Sequence, residues 1–108
     1  MSELNFQIMH EMQAQLQEKY QGKWPAITPA IAREKLLWMM IEAGEMADII
    51  KKKGDDKILE QGEVREHFIE EMCDTLMYFN DVMRCYDITP EEFEKVYYKK
   101  HQRNMSRW

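Results

Sequence analysis

Four carboxylates carry the strongest chemical signal in the chain. They come as two short pairs, Glu42-Ala43-Gly44-Glu45 and Glu71-Met72-Cys73-Asp74, each inside a stretch that otherwise reads as a buried helix. Residues three apart share a helix face, so each pair aims two carboxylates the same way, as adjacent ligands of one site must. Trp38 and Ile49 fall on the angular sector of Glu42 and Glu45, while Thr75, Tyr78 and Val82 flank Glu71 and Asp74. Four anions gathered away from water repel one another and are driven to take up protons, unless a cation neutralises them. The donors are all oxygen, which favours a hard cation: Mg2+, with Mn2+ as the alternative. Mg2+ usually leaves coordination positions to water and to substrate phosphates. A di-iron bundle would want Glu-x-x-His on two helices, and none of His10, His67 and His101 has a glutamate three residues before it. The plainer account of the four acids is solvated surface or partners for lysines; their apolar neighbours argue for a site.

A second constellation lies near the C-terminus, where Lys100, Asn104 and Arg107 recur at i, i+4 and i+7 and so share one helix face. Lysine offers a point charge, arginine a forked donor that matches phosphate oxygens, and asparagine an orienting hydrogen bond. The same basic run also complements a helix dipole, which is the commoner use of such residues. Trp24, beside Pro25 in a loop, reads first as a plug for the end of a bundle and second as a platform for an aromatic ring. Trp38 reads as packing at a subunit interface or at a site wall. The three histidines receive no role.

These residues need helices to hold them, and nothing else in the pattern competes. Only 4 Gly and 3 Pro interrupt the chain, and no segment alternates with period two for long. A first helix is expected from about Leu4 to Lys19, with Ile8, Met9, Met12, Leu16 and Tyr20 as its apolar stripe. A second starts at Thr28 as N-cap, with Pro29 in the first turn, and runs about 36 Å to Lys53. Leu36, Met39, Met40, Ala43, Met46, Ala47 and Ile50 form its expected core face. Gly54 to Glu63 reads as a polar connection. A third helix follows from about Val64 to Tyr86, facing the core with Phe68, Met72, Leu76, Phe79 and Met83. Thr89-Pro90-Glu91-Glu92 is a capping box that opens the last helix, which carries Phe93, Val96 and Tyr97. The expected fold is all-α, a four-helix bundle over a single domain, 1–108.

Composition narrows the function. A formal net charge of -5, from 15 basic and 20 acidic residues, speaks against holding a nucleic-acid polymer by general electrostatics. No apolar run suits a membrane span and no leader pattern is present, so a cytoplasmic protein is expected. The 2 cysteines, Cys73 and Cys85, lie on different sides of one helix, too far apart to bridge, and read as core thiols of a reducing compartment. At 108 residues the core is near the small end of self-sufficiency, and oligomerisation would help it.

In their order and spacing the acidic motifs resemble those of the MazG-like all-alpha nucleoside triphosphate pyrophosphohydrolases, which include the dimeric dUTPases and the dCTP pyrophosphatases. That family's Glu-x-x-Glu and Glu-x-x-Asp are matched by Glu42, Glu45, Glu71 and Asp74, and its Lys-x-x-x-Asn-x-x-Arg by Lys100, Asn104 and Arg107. The resemblance implies that the four acids hold Mg2+, that the basic triplet binds substrate phosphates, and that Tyr78 lies against the nucleotide. The stretch from Gln13 to Trp24 looks like the segment that dimeric dUTPases place near the base. The implied reaction converts a nucleoside triphosphate, a deoxypyrimidine or noncanonical one, to monophosphate and pyrophosphate. Glu45 would be its general base, in a homodimer or a dimer of dimers. The reading from another class is a non-catalytic helical interaction module, whose acids are surface charge and whose apolar excess is a partner-binding face.

Overall fold

The computed structural model describes residues 3–107. They form five helices: α1 (Phe6–Lys19), α2 (Pro29–Lys53), α3 (Asp55–Leu59), α4 (Glu63–Cys85) and α5 (Pro90–Met105). Among the described residues no strand forms; a single bridge pairs Gln21 with Trp24. The helix starts follow local chemistry. Asn5 accepts a hydrogen bond from the Ile8 amide (2.8 Å), and Thr89 Oγ1 accepts one from the Glu92 amide (3.2 Å), each satisfying an orphan donor of a first turn. Thr28 occupies the N-cap of α2 in extended conformation without a side-chain bond. Between α1 and α2 the chain turns tightly at Gly22, whose φ of 89° lies in the left-handed region that glycine adopts without strain. The segment expected as a plain connection contains α3, whose last-turn backbone is followed by Arg65 donating to the Ile58 carbonyl.

The dominant packing is between α2 and α4, which run antiparallel in a regular register. Lys35 faces Asp81, Trp38 faces Tyr78, and Glu42 and Glu45 face Glu71; from the first pair to the second both helices step three residues, and from Trp38–Tyr78 to Glu45–Glu71 both step seven, in opposite directions. At one end of this pair Ile31, Ala32 and Cys85 cluster, with Ile27 packed on them. Such spacing of three and four residues keeps one seam of each helix against the other.

That seam is not the one expected for α2. Ile31, Ala32, Lys35 and Ile49 are its buried residues, whereas Leu36, Met40 and Ile50 of the expected core face are exposed. The helix is apolar nearly all round, so hydrophobicity alone did not single out its inward side. On α4, likewise, Met83 is buried as expected, but Met72 and Leu76 are exposed and Glu71, Asn80, Asp81 and Cys85 are buried in their place. On α1, Met12 is exposed and Gln13 is the buried residue. Helix α5 runs alongside neither α2 nor α4; it leans on the start of α1, and its Phe93 meets Phe6 (5.0 Å between ring centroids) and Phe79 (5.5 Å). No helix among the described residues is long and apolar enough to cross a membrane. Cys73 and Cys85 are both free thiols, the first exposed and the second buried, and burial pushes the Cys85 thiol pKa up.

Candidate metal centre and adjoining aromatic cleft

The register of α2 against α4 brings Glu42, Glu45 and Glu71 together, with one carboxylate oxygen of each within 4.8 Å of the others. Their burial is graded: Glu71 is buried, Glu42 half-buried and Glu45 exposed. Glu71 is the crowded member. Its Oε1 lies 3.2 Å from His67 Nε2 one turn earlier on α4, and its Oε2 is buried without a hydrogen-bond partner. The Glu42 carboxylate beside it, which can accept a hydrogen bond only from the protonated form of Glu71, raises the Glu71 pKa most, followed by burial and by the negative charges of Glu42 and Glu45, and together they push it up to about 7. A carboxyl held that high keeps a proton that a cation would replace. The donor set is oxygen only and an orphaned oxygen points out of the protein's own network, so these residues fit a hard divalent ion. Asp74, the fourth acid expected at the site, is not within the three-carboxylate group. It lines the neighbouring cleft with Glu42.

That cleft has a volume of about 410 Å3 and lies between α1, the Trp24 loop, α2 and α4. Gln13, Trp24, Trp38, Glu42, Asp74 and Tyr78 line it, so six residues singled out from sequence converge on one space. Trp24 stacks on Tyr20 with ring centroids 4.5 Å apart, and Trp38 is tilted against Tyr78 at 6.0 Å. Trp24 thus serves both as a plug resting on α1 and as a wall of the cleft. Burial, then the charges of Glu42, Asp74 and Asp81, raises the Tyr78 pKa, so its hydroxyl stays protonated at neutral pH.

Two residues at the cleft were not anticipated. Lys35 is 5% exposed and its Nζ donates to Asp81 Oδ2 at 3.1 Å; Asp81, 4% exposed, also accepts from Gln13 Nε2 (3.0 Å) and from the Arg84 guanidinium (3.3 Å) through Oδ1. The Lys35 ammonium lies 5.6–5.8 Å from the ring centroids of Trp24, Trp38 and Tyr78, within range of cation–π attraction to all three. A signal was present in the sequence: Lys35 stands seven residues before Glu42, and Asp81 seven after Asp74, two helical turns on the same face. His67, four residues before Glu71, is a third residue that helical spacing places at the site.

The basic triplet does not join the acids within one chain. Lys100, Asn104 and Arg107 belong to α5 and the turn after it, and α5 leaves the α2–α4 pair. Asn104 Oδ1 is buried without a hydrogen-bond partner.

No protein-family model, no curated protein and no solved structure matches this chain.

Proposed function

We propose that the chain is a divalent-metal-dependent nucleoside triphosphate pyrophosphohydrolase of the MazG-like kind, acting in the cytoplasm on a deoxypyrimidine or noncanonical nucleotide. The observation that carries the reading is the shared edge between two features. Glu42 belongs both to the three-glutamate cluster and to the aromatic-lined cleft, so one ligand could present a flat ring to the cleft and its phosphates to the acids. Glu42, Glu45 and Glu71 would hold Mg2+ or Mn2+, with Asp74 adjoining. When bound there, the ion supplies charge neutralisation for phosphate oxygens and acidifies a nearby water.

The chain's own groups account for the rest. Glu45, the exposed member of the cluster, is the carboxylate best placed to take the proton of the attacking water. Glu71, buried and tied to His67, acts as a positioning anion. Trp24, Trp38 and Tyr78 exclude water from the ring and hold it, and Gln13 sits at the inner end of the cleft. Lys100, Asn104 and Arg107 would grip the outer phosphates within an oligomer, since α5 diverges from its own acidic helices.

Oligomerisation is supported by the apolar surface this protomer leaves uncovered. Leu37, Met40 and Ile41 on α2, and Met72, Leu76 and Met77 on α4, are all exposed. Exposed large apolar side chains in such number are what an interface would cover. A second copy would complete a four-helix bundle that one protomer does not close. The same surface also favours the second reading, a non-catalytic interaction module.

Product chromatography after incubation with each common NTP and dNTP separates the two. Metal-dependent monophosphate and pyrophosphate are expected from one or a few nucleotides. EDTA should abolish turnover, and Glu45→Ala should lower it by about 10²–10⁴-fold. Diphosphate with orthophosphate would refute the bond chosen, and no turnover with any nucleotide would leave the interaction module.

A further inference from the structure

Among the described residues that line the aromatic cleft, Lys35 carries the one full positive charge, and its ammonium has bonding capacity left over. An ammonium carries three donors. One is committed to Asp81 Oδ2 at 3.1 Å, and the surroundings facing the others are the rings of Trp24, Trp38 and Tyr78, with centroids 5.6–5.8 Å away. Ring faces attract the charge but do not replace a lone-pair acceptor in a short, directed bond. Asp81 is in the opposite condition, since Lys35, Gln13 and Arg84 all donate to it. At Lys35 the cleft therefore offers a ligand a donor, while the Asp81 carboxylate beside it is already engaged.

We propose that Lys35 is the base-reading residue of this cleft, donating to a ring carbonyl of the bound nucleobase, so that oxo-bearing bases are preferred over adenine, whose N1 and N7 acceptors sit beside an amino group that repels the ammonium. This rests on the nucleotide reading above. It adds the residue that discriminates and the functional group that it discriminates. The flanking rings supply stacking common to every base and so contribute affinity without choice. The directed ammonium supplies the choice, and the Asp81–Gln13–Arg84 network holds Lys35 in place as a positioning shell.

The test is calorimetric binding, in the presence of Mg2+, of the non-hydrolysable α,β-imido deoxynucleoside triphosphates of uracil, cytosine, guanine and adenine. The wild-type chain should bind the adenine compound at least about tenfold more weakly than the best oxo-bearing one, because Lys35 then meets ring nitrogens beside an amino donor in place of a carbonyl oxygen. The double variant Lys35→Met with Asp81→Leu removes both charges together and so avoids a stranded buried carboxylate. In that variant the four affinities should converge to within about threefold, with circular dichroism melting as the check on the fold. Adenine bound as well as the others by the wild type would overturn the inference, whether or not the variant folds. Preference that survives in the folded double variant would overturn it too. Binding of none of the four would sink the nucleotide reading itself, and the inference with it, whereas binding without discrimination would sink the inference alone.

Discussion

Lys35 and Asp81 meet across α2 and α4 inside a network in which Asp81 accepts three donors and the ammonium is ringed by three aromatic side chains. Two helical turns further along the same pair of helices, Glu42, Glu45 and Glu71 meet; among the described residues no lysine or arginine is shown paired with them, the His67 imidazole is the neighbour of Glu71, and one Glu71 oxygen is buried without a partner. The backbone context is the same in both places: one antiparallel seam, with polar side chains at inward positions. The electrostatics are opposite. A compensated pair holds geometry and resists removal of either member; an uncompensated cluster resists its own formation and gains from a ligand of the missing sign. Strain left in place beside a cleft is characteristic of a site rather than of a scaffold.

The comparison can be broken by removing one charge from each region. Asp81→Ala strands the Lys35 ammonium in the protein interior and should cost about 3–5 kcal/mol of stability in denaturant melts. Glu71→Gln should leave the metal-free protein as stable as before or more so, since it removes an anion from a self-repulsive group. A loss at Glu71 as large as that at Asp81 would mean that the acids are part of the scaffold.

Adding the missing charge sharpens the contrast. Mg2+ or Mn2+ should raise the melting temperature of the wild-type chain, by the equivalent of about 2.7 kcal/mol at a hundredfold excess over Kd. Glu71→Ala should lose most of that response, while the Lys35→Met/Asp81→Leu pair keeps it. Equal stabilisation of wild type and Glu71→Ala, followed by scanning calorimetry, would place the ion elsewhere.

Protons should act as a weaker substitute. The Glu71 carboxyl has a folded-state pKa of about 7, against an ordinary value of 4.5. A group whose pKa is raised by folding stabilises fully below its unfolded pKa, and that contribution is lost as pH rises through the folded value. In EDTA, stability should therefore decline between about pH 4.5 and pH 7, by at most about 1.4 kcal/mol per pH unit for one proton. Glu71→Gln should flatten that slope in urea titrations run at each pH, and an unchanged slope would assign the linkage to another group.

How far the sequence could be read differs between these two regions for a physical reason. The acidic pairs were legible because a three-residue spacing puts both carboxylates on one helix face, and their neighbours in sequence are apolar, whatever the helix packs against. Lys35 and Asp81 were not, because each is an ordinary charged residue that on most helices would face water; only the partner 46 residues away makes them a unit. The expectation for the core failed in the same manner. With Leu36, Leu37, Met40, Ile41 and Ile50 available on its other faces, α2 offers several apolar stripes, and hydrophobic periodicity does not choose among them. Asp74 was expected as a fourth ligand from its spacing to Glu71 and from the resemblance, and its place in the adjoining cleft depends on how α4 is rotated against α2.

By itself, then, the sequence determined what is local: five helices less one short turn, the starts of two of them at Thr28 and Thr89, and the presence of two carboxylate pairs on helix faces. These follow from caps, prolines and residue spacing within a few turns of chain. The antiparallel register of α2 on α4 was decided only in three dimensions, and with it came the company each charge keeps. Register is a competition among whole faces, summed over many weak contacts, and it is that sum which set Lys35 opposite Asp81, left the glutamates facing one another, and turned α5 with its basic residues away from them.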